Sequence, residues 1–241
     1  MSNSTNSLGQ PIGEALPGWS APPWPPRKPL EGRLCRLEPL DVTLHAAELH
    51  AANSLDAEGR LWTYLPYGPF DGFESYRAWL EENRKLSDPL FLAIVDPANG
   101  RAVGLASYLR IVPASGSIEV GHLGFSPLLQ RQPAATEAMF LMMRQAFALG
   151  YRRYEWKCDA LNAKSRAAAQ RLGFSFEGIF RQATVYKGRT RDTAWYSVLD
   201  QEWPALEQSF TRWLHPGNFD KDGGQRISLS SLTQPLLAAR G

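Results

Sequence analysis

Three groups of residues have the types and spacing to do chemistry. Glu119 lies between Ile118 and Val120 in a strand-like run that ends at Phe125, so its carboxyl points away from their apolar face. A carboxyl on a partly dry face holds its proton more tightly, which suits it to act as a base near neutral pH. Further on, Gln130, Arg131 and Gln132 lead through Pro133 into the small residues Ala134 and Ala135, followed by Thr136. The first amides of a helix that starts there have no intrahelical partner and point outward at the positive end of the dipole, which makes a seat for a diphosphate. Ala134 and Ala135 let such a group come close, Thr136 adds a hydroxyl, and the Arg131 guanidinium is nearby. Pro133 withdraws one donor while suiting the first helical turn, and is equally compatible with a helix that is only structural. The third group is Asn162, Ser165 and Arg166, at the opening of another helix. Asn162 fits as a cap. The Ser165 hydroxyl could donate to a leaving group or return to its own backbone, and Arg166 could reach a phosphate or lie exposed.

These residues need strands and helices in a set order to meet. Arg33 to Leu40 alternates as a first strand, and Asp41 caps a helix whose Leu44, Ala47, Leu49 and Ala51 form its apolar side. A loop with four aromatics, Trp62, Tyr64, Tyr67 and Phe70, comes next. An amphipathic helix follows, with Phe73, Tyr76, Trp79 and Leu80 on one face. Three strands succeed it, with a turn at Asp96 to Gly100 between the first two. The third carries Glu119, with a bulge between Gly121 and Gly124. His122 within it is a relay, a base or a structural histidine. A helix from Pro133 to Leu149 stops at Gly150, a strand runs to Ala160, and the Asn162 helix stops at Gly173. An antiparallel pair around Lys187-Gly188-Arg189 closes the domain.

Residues 1–30 are a Pro-rich leader, extended or mobile, which Trp24 could pin to the surface; 31–203 form one mixed α/β domain; 204–241 carry a helix and a turn-rich, peripheral tail. A chain of 241 residues with 44% apolar content supports a sizeable core. The formal charge of +2 comes from scattered lysines and arginines, which argues against nucleic acid. No apolar stretch approaches the roughly 18 residues needed to span a bilayer. The four histidines are too dispersed for a metal site, and Cys35 and Cys158 read as buried thiols in a cytoplasmic protein.

The stretch 118–174 resembles the coenzyme A-binding core of the GNAT superfamily of N-acetyltransferases. Gln130, Ala135 and the Thr-Glu-Ala that follows fit its Gln/Arg-x-x-Gly-x-Gly/Ala loop, and Pro133 departs from it. WTYLPYGPF, GHLGFSP, GYRRYEWKCDALN, RLGF and KGRTRD are similar to the branch with the ribosomal-protein N-terminal acetyltransferases. The resemblance implies a mixed, mainly antiparallel sheet flanked by helices, with a V-shaped split between its two central strands. It implies acetyl-CoA as co-substrate, held by the 130–136 loop. It gives Asn162 the pantetheine arm, places Ser165 near the sulfur, and has the backbone from Leu123 to Phe125 polarise the thioester carbonyl.

Acyl transfer needs an unprotonated amine, and Glu119 is the preferred base to provide it. Trp62, Tyr64, Tyr67, Phe70, Tyr186 and Tyr196 are expected to wall the acceptor pocket. The acceptor would be a protein N-terminus or a small-molecule amine. A non-catalytic CoA-binding module is the alternative, and a homodimer is expected by analogy.

Overall fold

One sheet of eight strands organises the protein, whose structure is a computed structural model that describes residues 4–241. The leader forms a ribbon, β1 (Ser4–Thr5) with β2 (Pro11–Ile12). The main sheet begins with β3 (Leu30–Glu31) and β4 (Arg36–Pro39). Helices α1 (Val42–Asn53) and α2 (Phe73–Asn83) precede β5 (Leu90–Val95), β6 (Ala102–Val112) and β7 (Ser117–Phe125). Then α3 (Pro133–Ala148), β8 (Arg153–Asp159) and α4 (Ala163–Arg171) alternate. The hairpin β9 (Ser175–Tyr186) and β10 (Arg189–Leu199) leads into α5 (Trp203–Leu214) and the short α6 (Leu229–Thr233).

Spatial order in the sheet is β3-β4-β5-β6-β7-β8-β10-β9, and β7 with β8 is its one parallel pair. That pairing runs from Ser117–Arg153 to Val120–Trp156 and stops. Beyond it β7 stays with β6 as far as Phe125, and β8 stays with β10 as far as Asp159. The two central strands therefore part, each held by its outer neighbour. A bulge helps to part them. Gly121 opposes Ser107 and Gly124 opposes Leu105, so His122 and Leu123 share the space of Ala106, with His122 at φ 51°.

Each face of the sheet has its own core. Ile118, Val120, Tyr154, Trp156, Ala194 and Tyr196 pack against the helices α3 and α5. On the other face α1 and α2 join Phe91, Ala93, Val95 and Leu105. The inner side of α1 differs from the sequence expectation: Val42, His45, Ala46, Leu49 and Ala52 are buried, whereas Leu44, Ala47 and Ala51 are exposed. The cause is polar. Asp41 caps the Thr43 and Leu44 amides at 2.8 and 3.1 Å, and its own amide donates to His45 Nδ1 at 3.1 Å. His45 Nε2 reaches Glu38 at 3.1 Å, which turns the imidazole inward.

Both helices behind the split end in the same way. Gly150 (φ 94°) and Gly173 (φ 91°) adopt left-handed backbone, and the residue after each, Tyr151 and Phe174, donates back to Ala146 and Ala169 at 3.2 and 3.0 Å. The hairpin tip Lys187-Gly188 has positive φ at both positions, as a two-residue turn of this hand requires.

The tail is docked, not peripheral. Leu229 and Thr233 are buried, Thr233 Oγ1 donates to the Arg171 carbonyl at 2.9 Å, and Phe176 N donates to Ala239 O at 3.1 Å. The leader, whose first three residues lie outside the described ones, runs extended along the domain. Pro22 and Pro25 are buried, Arg27 donates to the Arg84 and Leu86 carbonyls, and Trp19 packs over Gly116. Trp24 is 49% exposed and is not the pin.

Candidate active site

The parting of β7 and β8 brings most of the candidate residues to one end of the sheet. On the β7 side the loop after Phe125 is held by Ser126, whose carbonyl accepts from Leu129 and Gln130 at 2.9 and 3.0 Å. The Gln130 side chain donates to Phe125 O at 2.7 Å and so ties the loop to the strand end. Arg131 takes left-handed backbone (φ 63°), and Arg131 and Gln132 are exposed. Gln132 stands extended before α3 and offers no side-chain cap. Two of the expected amide donors serve the loop itself, since Gln132 N reaches Leu129 O at 3.2 Å and Ala135 N reaches Gln132 O at 3.1 Å. The amides of Arg131 and Ala134 have no acceptor among the described residues. The Thr136 hydroxyl is buried and accepts from Arg171 Nη2 at 3.0 Å, at the last residue of α4.

The β8 side is built around α4. Asn162 Oδ1 accepts from Ser165 N at 3.1 Å, so the side chain is the helix cap. Trp156 Nε1 donates to Ser165 Oγ at 3.1 Å, and the Cys158 thiol lies against the same hydroxyl. With its oxygen accepting from the indole, Ser165 has its proton to donate, and the Cys158 sulfur is its acceptor in the fold. Burial pushes the Cys158 thiol up, as it does Cys35, so both stay protonated. Arg166 is engaged within the fold. Its Nε donates to Tyr196 OH and its Nη1 to Ala160 O, each at 3.2 Å, which clasps α4 to the sheet. Tyr196 itself is fully buried and walls no pocket.

Glu119 is 5% exposed and lies on the face opposite Ile118 and Val120. Lys157 Nζ is 2.9 Å from Glu119 Oε2 and 2.8 Å from Glu155 Oε2, and sits 3.7 Å from the Trp195 ring centroid. Arg110 Nε approaches Glu119 at 3.4 Å. Burial raises the Glu119 pKa, and the two cations pull against that rise without cancelling it. Lys157 was not picked out from the sequence, although strand alternation puts Glu155, Lys157 and Asp159 on one face and the apolar Trp156 and Cys158 on the other.

The aromatic loop lies over the open end. Tyr67 stacks on His122 at 5.6 Å with its hydroxyl 3.2 Å from Nδ1, and burial pushes His122 down to about 4, so it is neutral at physiological pH. Tyr64 donates to Leu161 O at 3.4 Å, Lys187 Nζ donates to Trp62 O at 2.7 Å, and Tyr186 donates to Asp159 Oδ2 at 2.9 Å. Tyr64, Tyr67 and Tyr186 thus border the mouth. Trp62 and Phe70, 5.3 Å apart, pack instead on the α1–α2 core, where a cavity of about 260 Å³ opens beside them. A groove of about 700 Å³ along α5, lined by Glu207, Arg212 and Arg226, shares no residue with the split. Among the described residues no helix is long and apolar enough to cross a membrane, and no cluster of ligating side chains could hold a metal.

Comparison with known proteins agrees with this geometry. The model of the acetyltransferase (GNAT) domain matches residues 35–175. A GCN5-related N-acetyltransferase from Brucella melitensis is 49% identical, with a TM-score of 0.88 over 90% of this chain and 99% of that one. A probable acetyltransferase of the GNAT family from Chromobacterium violaceum is 43% identical, with a TM-score of 0.76 over 81% and 98%. RimL, a ribosomal L7/L12 alpha-N-protein acetyltransferase solved in complex with coenzyme A, shares the fold alone: 22% identity and a TM-score of 0.61 over 71% and 97%. No curated protein matches the chain. A family match over more than half the sequence, joined to two near-complete structural relatives above 40% identity, settles the kinship: the chain belongs to the GNAT family of N-acetyltransferases.

Proposed function

We propose that this protein moves an acetyl group from acetyl-CoA to a primary amine, a protein N-terminus or a small molecule, by direct attack in a ternary complex. The observation that carries the reading is the end of the β7–β8 pairing at Val120 and Trp156, with an uncapped helix start behind one strand and a hydroxyl behind the other. Acetyl-CoA fits the residues on both sides. The exposed Arg131 side chain and the amides of Arg131 and Ala134 would hold its diphosphate, with Gln130 fixing the loop. The Leu123 to Phe125 backbone and Asn162 would take the pantetheine arm and the thioester carbonyl.

Glu119 accepts the amine proton, directly or through water, while the amine nitrogen bonds to the acyl carbon. The C–S bond then breaks with its electron pair going to sulfur, and the thiolate is held by a hydrogen bond from Ser165 and takes up a proton from water as CoA thiol. A base with a raised pKa must lose its proton to work, so activity falls with acidity at a higher pH than an ordinary glutamate would give. Tyr64, Tyr67 and Tyr186 would guide the amine to the split.

The test is release of CoA thiol with a panel of amines. Turnover by the wild type, with kcat about 10³-fold lower in Glu119→Gln and acetyl-CoA affinity retained, supports the reading. Binding of acetyl-CoA without turnover of any amine would reduce the protein to a CoA-binding module. Unchanged kcat in Glu119→Gln would remove the base assignment.

A further inference from the structure

Arg191 is a cation whose anion is missing among the described residues. It stands on β10 two residues before Thr193, which pairs with Asp159 at the end of β8. The β9–β10 register shifts between Arg191 and Thr193, and Tyr186, whose hydroxyl bonds Asp159 on the Lys157 face, keeps Arg191 on that side. Arg191 is half-buried, and its Nε is closed to solvent and has no hydrogen-bond partner among the described residues. The guanidinium carbon lies 5.8 Å from the Tyr186 ring centroid, within cation–π range of an aromatic already at the mouth. Two carboxylates are close in sequence or register, and both are committed elsewhere. Asp159 takes the Tyr186 hydroxyl at 2.9 Å and Leu161 N at 2.8 Å, and Asp192 takes Gln182 N at 2.7 Å. The positive charge also acts on the Cys158 thiol, which lies against Ser165. Arg191 therefore belongs to the same end of the split as the leaving-group site.

One N–H of this guanidinium is held away from water without an acceptor, which is costly, and the fold has spent neither neighbouring carboxylate on it. An outside anion would relieve the cost, and a guanidinium fork suits a carboxylate best. That anion is not the cofactor's diphosphate. The α3 start follows β7 and packs with the opposite face of the sheet, whereas Arg191 lies on β10, beyond β8. What remains is the group arriving at the mouth.

We propose that Arg191 pairs with a carboxylate borne by the acceptor, so that the substrate is an amine with a negative charge close to it: an amino acid, or a polypeptide N-terminus with an acidic residue next to its first. The proposal rests on the amine-transfer reading above and narrows it. Polyamines and aminoglycosides, which bring further positive charge to this guanidinium, are disfavoured.

Matched acceptor pairs test it, with CoA release measured at saturating acetyl-CoA. One set compares free amino acids with their carboxamides; the other compares tripeptides carrying Asp or Asn at the second position. The wild type should favour the carboxylate member by about tenfold or more in kcat/KM, through KM. Arg191→Gln should bring the ratio close to one, and Arg191→Lys should keep part of it. Thermal melting and acetyl-CoA calorimetry report whether each variant is folded. A preference confined to free amino acids assigns a small-molecule acceptor, and one confined to Asp peptides assigns a polypeptide end. No preference in the wild type, or a preference that survives Arg191→Gln, overturns the assignment and leaves amine transfer standing. Turnover of neither set overturns the assignment, and failure of every amine in the earlier panel as well removes amine transfer itself and this proposal with it.

Discussion

The helices α3 and α4 follow the two central strands, end on the same glycine motif, and begin in opposite ways. At the start of α4, Asn162 turns its side chain onto Ser165 N at 3.1 Å, so this helix satisfies itself. At the start of α3, Gln132 is extended with no side-chain cap, Pro133 takes the first position, and the Arg131 and Ala134 amides find no acceptor among the described residues. An uncapped start leaves donors for an anion from outside, whereas a capped start has only side chains to offer. With the diphosphate at α3 as proposed, the difference would divide the labour. Changes at α3 should appear in cofactor affinity, and changes at α4 in turnover or stability, with Asn162 alone also touching the pantetheine arm.

That division can be broken variant by variant. Ser165→Ala would remove the proposed hydrogen bond to the departing sulfur and should lower kcat by about 10²-fold, with acetyl-CoA affinity retained in calorimetry. Ala134→Glu places a carboxylate among the α3 donors and should raise the acetyl-CoA dissociation constant about 30-fold, on the order of 2 kcal/mol, with kcat at saturation retained. A loss of kcat in place of affinity would put the phosphates elsewhere. Asn162→Ala should cost about 1 kcal/mol in urea unfolding through the lost cap, whereas Asn162→Asp, which keeps an oxygen facing Ser165 N, should cost little. Pro133→Gly is the smallest and sharpest case. It restores an amide to the α3 start and should tighten acetyl-CoA about threefold, within the range of one hydrogen bond.

Local rules made much of this legible in the sequence. The caps at Asp41 and Asn162, the stops at Gly150 and Gly173, the Lys187-Gly188 turn and the bulge between Gly121 and Gly124 each follow from the chemistry of one or two residues. The split followed from the family resemblance. What failed depends on contacts between distant segments. The inner face of α1 was misread because an alanine-rich helix offers two similar stripes, and the His45–Glu38 contact chooses between them. Arg166 and Thr136 looked free, but Tyr196, Ala160 and Arg171 reach them from other elements. The tail looked peripheral because its turn-rich composition hides the docking of Leu229, Thr233 and Ala239. Lys157 and Arg191 drew no notice because a strand cation is ordinary until its partners, or their lack, are seen.

The most direct test of the central claim is a crystal structure of the protein with coenzyme A. The account predicts phosphate oxygens within hydrogen-bonding distance of the Arg131 and Ala134 amides, with the pantetheine arm entering between β7 and β8 beyond Val120 and Trp156. Phosphates bound anywhere else, with those two amides left to water, would contradict it.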